Sequence, residues 1–291
     1  MSFRQRLLRP SNNHIRIAVG LLLAGLFCIQ CTRSEAFKAT PIVSAYAADS
    51  EPPAAGMADP RLQQLDNLAK KDHVALIKQA IARYKESVQD YSCTFIKQER
   101  LNGQLQPDQE IKVKFREQPF SVGMQWVRNA PIGDAILYVE GKCDGQMLVR
   151  PKGLLGKMIG VQMRKPGDPA VMANTLKPIT AFGLRKNLES LLAVYELAGQ
   201  RGDSVNSFAG YKEVAGRKVM VLKRELPNKP DYPCKLVVWY LDVEYEAPMA
   251  LESYDWDDQL IASYLYKGLK FNNGYSDSDF APEANGLQLR K

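Results

Sequence analysis

Acidic residues gather at two places near the C-terminus, where they could do chemistry. Asp255, Asp257 and Asp258 lie in the segment DWDD, and Asp277 and Asp279 follow about twenty residues later. Carboxylate oxygens of this kind bind calcium, and a pair of carboxylates can hydrolyse glycosidic bonds. The spacing matches no complete calcium loop, and aspartates also form ordinary turns by accepting hydrogen bonds from nearby backbone amides. Turn formation is the favoured interpretation, and an acidic-site hydrolase is the least favoured function.

Other catalytic groups are scarce. Beyond residue 36 the sequence has one histidine, His73, which we expect to be a solvated helix residue. The sequence contains neither a GxSxG nucleophile elbow nor a GxxxxGK[ST] phosphate loop. We therefore expect a non-enzymatic protein with no cofactor and no metal.

The segment from Val149 to Pro169 mixes apolar and basic residues, and its glycines disfavour a rigid helix. A mobile loop of this composition suits contact with anionic lipid headgroups or closure over a cavity. The alternative is a long solvated connection. The candidate residues for a lid or headgroup contact are Leu154, Leu155, Lys157, Met158, Ile159, Arg164 and Lys165.

Two strand faces are candidates for a ligand cavity. Successive side chains of a strand point to opposite faces, so alternate residues share one face. Aromatic and methionine side chains suit an adaptable lipid pocket, although the same residues also suit a solid core. The cavity candidates are Phe120, Val122, Met124 and Trp126 on one strand and Val237, Trp239 and Leu241 on another.

These residues lie in two blocks of alternating segments separated by turn residues. We predict strands over residues 91–101, 109–117, 120–128, 134–140 and 145–150, and again over 208–214, 218–225, 235–245, 249–255 and 261–271. Helical stripes of apolar residues cover Arg61 to Gln89, with a break near Asp72, and Pro178 to Ala198. Strand blocks without a βαβ rhythm indicate an α+β fold. We predict one curled antiparallel sheet of about 10 to 11 strands, a half-open barrel covered by two helices.

The N-terminus indicates export. Residues 1–36 carry five arginines against one acid and contain the run IAVGLLLAGLFCI, which is typical of a signal peptide and short for a transmembrane helix. An uncleaved membrane anchor is the alternative. Cys28 and Cys31 are poorly placed for a redox pair or a lipobox. The composition of residues 37–60 predicts a flexible tether. We expect residues 61–291 to form a single domain in the periplasm or cell envelope.

Charge and cysteine content set further bounds. Removing residues 1–36 lowers the net charge from +7 to +3, so the basic excess expected of a nucleic-acid binder is lost. Cys93, Cys143 and Cys234 then remain, either as one disulfide with a thiol left over or as three buried thiols.

The segments YSCTFIKQERLNGQ, IKVKFREQPFSVGMQWV and AILYVEGKCDGQMLVRPKG resemble an exported bacterial family, domain of unknown function 1571, over about Ala75 to Phe280. That family in turn resembles, more remotely, the fold of the lipoprotein carrier LolA and its receptor LolB. The resemblance implies a half-open barrel with a cavity for a hydrophobe and no catalysis.

The leading hypothesis is therefore an envelope protein that binds a lipid, a lipoprotein acyl chain or another hydrophobic ligand, with an anionic membrane surface as a further partner. The alternative is a protein interaction module of the envelope without a small ligand.

Overall fold

The two blocks of strands pair along the chain into one antiparallel sheet. The computed structural model describes residues 41–51 and 59–289, without the side chains of Leu155 and Lys157. Thirteen strands form within these ranges: β1 (Ala47–Asp49), β2 (Asp90–Leu101), β3 (Gln104–Leu105), β4 (Gln109–Arg116), β5 (Ser121–Arg128), β6 (Gly133–Val139), β7 (Met147–Pro151), β8 (Gln162–Arg164), β9 (Val205–Val214), β10 (Arg217–Glu225), β11 (Leu236–Asp242), β12 (Pro248–Tyr254) and β13 (Leu260–Phe271).

The strand order is β1-β9-β10-β11-β12-β13-β2-β4-β5-β6-β7-β8, with β3 paired to β2. The pairing of β13 with β2 joins the two meanders, and it places Tyr264 opposite Lys97 and Tyr266 opposite Phe95. The sheet is curled and open, so the predicted fold class is confirmed. The short strands β1, β3 and β8 were not predicted, because two or three residues are too few to show a period of two.

Five α-helices accompany the sheet in the described ranges: α1 (Pro60–Lys71), α2 (His73–Ser87), α3 (Gly153–Ile159), α4 (Pro169–Met172) and α5 (Leu184–Gln200). Asp72 separates α1 from α2, because it has non-helical dihedral angles and its side chain accepts a hydrogen bond from the amide of Ala75 at 2.9 Å. The helix predicted from Pro178 begins only at Leu184, since Gly183 before it has a φ of 129°.

The helices fill one half of the concave face. Helices α1, α2 and α5 pack on β10 and β11 in a single apolar cluster that includes Leu76, Leu188, Leu222 and Trp239. Over β2, β4 and β5 a second cluster forms around Tyr91, Phe115 and Val122. The first cluster is covered by long helices, whereas part of the second is covered only by residues 169–182. We call residues 169–182 the cover segment.

Part of the predicted tether belongs to the fold. Residues Ile42–Ala45 form a 3-10 helix, β1 pairs with β9, and Val43 is fully buried against the outer face of the sheet. Residues 41–51 are therefore packed on the sheet and do not form a flexible tether. Burial of the apolar side chains of Ile42 and Val43 stabilises the packing of this segment on the sheet. Residues 1–36, the predicted signal or anchor, lie outside the described residues.

Within residues 41–51 and 59–289, no helix combines the length and the apolar character needed to cross a bilayer. Cys93, Cys143 and Cys234 are free thiols, and burial raises the pKa of Cys93 and Cys234.

Candidate functional site

A cavity of about 120 Å³ lies between the concave face and the cover segment. Its floor comes from β2, β4, β5, β6, β7 and β13, and its roof from the cover segment with Asn187 of α5. The floor residues are Phe95, Lys97, Glu99, Gln109, Ile111, Met124, Trp126, Ile136, Met147, Val149, Tyr264 and Tyr266. The cavity is therefore built on rigid strands and closed by a short irregular segment.

Strand register arranges the floor in rows. Tyr264, Lys97 and Gln109 lie opposite one another on β13, β2 and β4. The next row runs from Tyr266 through Phe95 to Ile111 and Trp126. Because alternate residues of β2 share a face, the charged pair Lys97 and Glu99 continues the apolar face of Tyr91, Cys93 and Phe95. The polar groups thus gather at one end of the cavity.

Most of the lining is apolar. Met124 pairs with Ile136, and Ile136 pairs with Val149, so these side chains line the end of the cavity on β5, β6 and β7. Phe95 contacts Phe182 of the cover segment edge to face, with ring centroids 5.3 Å apart. An apolar wall of this kind gains free energy when it removes hydrocarbon from water.

The polar end is a hydrogen-bonded cluster around a buried ion pair. The ammonium of Lys97 lies 2.9 Å from Glu99 Oε2 and donates to Thr175 Oγ1 at 3.1 Å. Glu99 also accepts from the hydroxyl of Tyr264 at 2.7 Å and from the amide of Leu176 at 3.3 Å. Two strands and the cover segment are therefore tied together through one carboxylate.

Burial shifts the titration of this cluster. Removal from water, together with the charge of Glu99, raises the pKa of Tyr264 well above its usual value. Lys177 also lines the cavity, where desolvation lowers the pKa of its ammonium although Glu99 acts in the opposite direction. Lys177 still exposes more than a third of its surface to water. The cluster thus keeps Tyr264 neutral as a hydrogen-bond donor.

The predicted cavity residues divide into three groups. Met124 and Trp126 line the cavity, and the indole of Trp126 donates to Gln109 Oε1 at 2.8 Å. Phe120 and Val122 are buried in the solid core beside it. Val237, Trp239 and Leu241 lie in the other half of the sheet, packed under the helices. Their roles in ligand binding stay predictions, although packing leaves the last three little room for one.

The predicted lid residues lie elsewhere than expected. Gly153 and Gly160 lie at the two ends of α3 rather than breaking it, so part of the segment is helical. Leu154, Met158 and Ile159 are more than half exposed, and neither they nor Arg164 and Lys165 line the cavity among the described side chains. Leu155 and Lys157 lie in α3, outside the described side chains. Among the described side chains, the cover segment lies over the cavity, and the lid role of residues 154–165 stays a prediction.

The acidic residues form turns. Asp255 Oδ1 accepts from the amides of Asp257 and Gln259 at 3.0 and 2.8 Å, and Asp258 pairs with Lys235 at 2.7 Å. Asp277 pairs with Arg116 at 2.8 Å, and Asp279 caps the start of the 3-10 turn Asp277–Phe280 by accepting from the amide of Ser276 at 2.8 Å. In the described residues, no group of three or more His, Cys, Asp or Glu side chains could hold a metal ion.

His73 is buried rather than solvated, with 4% of its surface exposed. Its Nε2 donates to the carbonyl of Ala69 at 2.8 Å, and its Nδ1 accepts from the hydroxyl of Tyr195 at 3.2 Å. That hydroxyl accepts in turn from the indole of Trp239 at 3.0 Å. Desolvation lowers the pKa of His73, so the ring is a structural link between helices and sheet.

Sequence reasoning missed Lys97, Glu99, Gln109, Tyr264 and Lys177, which form the polar end. One signal was present, since Lys97 and Glu99 interrupt an apolar face at a period of two in β2. The partners could not be found in this way, because they come from β4, β13 and the cover segment, up to 165 residues away.

The sequence matches the model of a family described as protein of unknown function, DUF1571, over residues 88–288. The predicted family is thereby confirmed. Among curated proteins, the comparison finds no match.

Several solved structures have a similar fold at low identity. A LolA superfamily protein from Nitrosomonas europaea is 8% identical with a TM-score of 0.30, and the match covers 71% of this chain and 98% of that chain. The lipoprotein LppX of Mycobacterium tuberculosis is 10% identical with a TM-score of 0.39, over 70% and 96%. A DUF1329 family protein from Desulfovibrio piger is 13% identical with a TM-score of 0.38, over 74% and 98%.

Proposed function

We propose that this chain, which belongs to the DUF1571 family of proteins of unknown function, binds a lipid or another hydrophobic ligand in the cavity under its cover segment and does not catalyse a reaction. We further propose that it acts as an exported protein of the periplasm or cell envelope, as the basic and apolar residues within residues 1–36 predict.

The observation that carries this proposal is the unequal filling of the curled sheet. Long helices fill the concave face over β10 and β11, whereas a cavity remains over β2 and β4 to β7. Close packing is the rule in protein interiors, so a space lined by Ile111, Met124, Ile136 and Val149 is a feature to be explained. An apolar pocket with a few convergent polar groups is typical of a small-molecule site.

The walls also suit ligands of different shapes. Met124 and Met147 have unbranched, flexible side chains that can repack around a bound chain. The roof contains only one turn of α-helix, α4, and a 3-10 turn at Ile179–Ala181. Few backbone hydrogen bonds must break for such a segment to move, so a ligand can enter under it.

The test is lipid content. Protein purified from its own envelope fraction, examined by native mass spectrometry and by solvent extraction, should carry a lipid or release one. The substitution Val171→Trp places a large side chain in the roof and should reduce bound lipid severalfold. Val205→Trp is the matched control, because Val205 is 67% exposed on β9 and away from the cavity.

Both variants should melt at the wild-type temperature within a few degrees. A wild-type protein that neither carries lipid nor takes up Nile red would reject the proposal, and so would equal lipid content in the two variants.

A second candidate function, contact with an anionic membrane surface, rests on α3. Leu154, Met158 and Ile159 are 76%, 71% and 52% exposed, and Arg164 and Lys165 follow them. Exposed apolar residues beside cations are typical of segments that lie in a bilayer interface. Leu154→Glu should reduce co-sedimentation with phosphatidylglycerol vesicles, whereas Val127→Glu, at a residue 50% exposed on β5, should not. Vesicle binding that is unchanged in both variants would reject α3 as the contact surface.

A further inference from the structure

The cavity is asymmetric in charge as well as in polarity. Two lysines and one glutamate line its polar end, namely Lys97, Lys177 and Glu99. The opposite end, on β5 to β7, is lined by Met124, Ile136, Met147 and Val149. A ligand that fills the cavity therefore meets one net positive charge at one end and hydrocarbon at the other.

The carboxylate of Glu99 has little capacity left for a ligand. Its two oxygens already accept from Tyr264, from Lys97 and from the amide of Leu176, at 2.7, 2.9 and 3.3 Å. These three donors neutralise and orient it within the protein. Glu99 is consequently a poor partner for a cationic or donating ligand, and its role is to position Lys97.

The lysines, by contrast, have donors to spare. Lys97 uses two of its three N–H groups on Glu99 and Thr175. Lys177 interacts with Glu99 through charge, and the part of the chain that the structure describes gives its ammonium no ion pair. Gln109 accepts from Trp126 through Oε1, which leaves its amide NH₂ group as a donor. Donors exceed free acceptors at this end, and the partial desolvation of the Lys177 ammonium costs free energy that a bound anion offsets.

Strand geometry sets the path that a ligand chain can follow along the floor. From β2 to β7 the floor crosses four interstrand spacings, about 19 Å along the sheet. Lys97 lies at the start of this path and Val149 at its end. A chain that follows this path begins at the lysines, and because the cavity holds only about 120 Å³, a chain as long as palmitate requires the cover segment to move outward.

We propose that the cavity ligand is an acidic single-chain amphiphile, whose carboxylate or phosphate is bound by Lys177 and Lys97 and whose chain runs along the face of β4 to β7. This inference rests on the proposed function, and it adds the chemical class of the ligand. An ion pair that buries both partners contributes little net stability on its own, which is consistent with Lys97 and Glu99 being kept for recognition.

Displacement of Nile red from purified, delipidated protein tests whether the ligand is an acidic amphiphile. The displacing probes are palmitate, hexadecyl phosphate and hexadecanol below their micellar concentrations, with acetate and inorganic phosphate as heads without chains. We expect both acids to bind roughly tenfold or more tightly than hexadecanol, since charge-assisted hydrogen bonds contribute more than neutral ones. The short anions should displace nothing.

Variants assign the effect to the lysine. Lys177→Met should bring the acids to within about threefold of hexadecanol, because the charge-assisted bond is lost while the apolar wall remains. Lys177→Glu should make hexadecanol the preferred probe. Lys71→Met is the control, since Lys71 is an exposed cation at the end of α1 and outside the cavity lining. Melting temperatures verify that all three variants are folded.

The outcomes separate the two proposals. If hexadecanol and the acids bind equally, the acidic head is wrong and the hydrophobic cavity stands. If no chain displaces Nile red, both are wrong. If inorganic phosphate or acetate competes as well as the chain-bearing acids, the site holds a free anion, and the amphiphile is wrong.

Discussion

The ammonium of Lys97 lies 2.9 Å from the carboxylate of Glu99, two residues along the same strand, and both side chains are at least nine-tenths buried. Residues two apart on a strand share a face, so the pair lies side by side on the floor of the cavity. It is the one place on β2 where the apolar concave face becomes charged.

This pair should respond differently to single and double substitution. Lys97→Met leaves the Glu99 carboxylate buried without its cation, and should lower the free energy of unfolding by about 3–5 kcal/mol. Adding Glu99→Gln removes the charge and keeps an acceptor for Tyr264, so the double variant should regain most of that loss. Urea unfolding of ligand-free protein measures both. Equal stability of the single and double variants would show that the pair is not coupled.

His73 should make stability depend on pH. Burial lowers its folded pKa below the usual 6.5, whereas the unfolded chain takes up a proton near 6.5. Stability should therefore be fully present above pH 6.5 and should fall as the pH is lowered from there towards the folded pKa. Urea unfolding from about pH 8 to pH 5 measures this slope.

The variant His73→Gln should be less stable at neutral pH and show a flatter dependence over the same range, because the titrating ring is gone. A slope as steep as that of the wild type would assign it to other groups.

Gly183 should not tolerate a side chain. Its φ of 129° is one that other residues rarely adopt, and an added Cβ would lie 3.1 Å from the ring of Phe115. Gly183→Ala should therefore lower the free energy of unfolding by about 2 kcal/mol. Gly199→Ala is the contrast, because Gly199 lies in α5 with open space around it and should gain up to about 1 kcal/mol. Thermal melts compare them, and a neutral Gly183→Ala would contradict the strain.

Asp90 should anchor the C-terminal segment. Its carboxylate accepts from the backbone amides of Asn273, Gly274 and Tyr275 at 2.6, 3.0 and 3.1 Å, and only 4% of the residue is exposed. Asp90→Ala leaves these donors without an acceptor and should cost about 3 kcal/mol. Hydrogen exchange at residues 272–280 should rise in parallel.

Asp257→Ala is the matched control, since Asp257 is exposed, and it should change stability by less than about 0.5 kcal/mol. Similar losses in both variants would deny Asp90 an anchoring role. Unchanged lipid content in Asp257→Ala would also agree with a turn-forming acidic segment.

Much of the fold was predictable because its signals are local. Ile111, Val113 and Phe115 alternate with Lys112, Lys114 and Arg116, and the structure places this segment in β4 with the three apolar residues buried. Arg116 departs from the expected exposed face, because it is buried and pairs with Asp277. The break at Asp72 and the family resemblance were also readable from short segments. The structure differs from the prediction at residues 41–51 and 149–169. Apolar residues and glycines there are compatible with more than one local structure, and the packing partner decides which one forms.

The sequence by itself determined the antiparallel curled sheet, its two meanders and the helices beside it, because side-chain period and turn residues act within a few positions. It could not decide whether the face from Phe120 to Trp126 is core or cavity. The tertiary structure divides that face, since Phe120 and Val122 are packed in the core while Met124 and Trp126 face the cavity under the cover segment. The polar end likewise forms only in the folded protein. Strand pairing places Tyr264 beside Lys97, and the cover segment brings Lys177 to the same cavity, and no local sequence pattern encodes either contact.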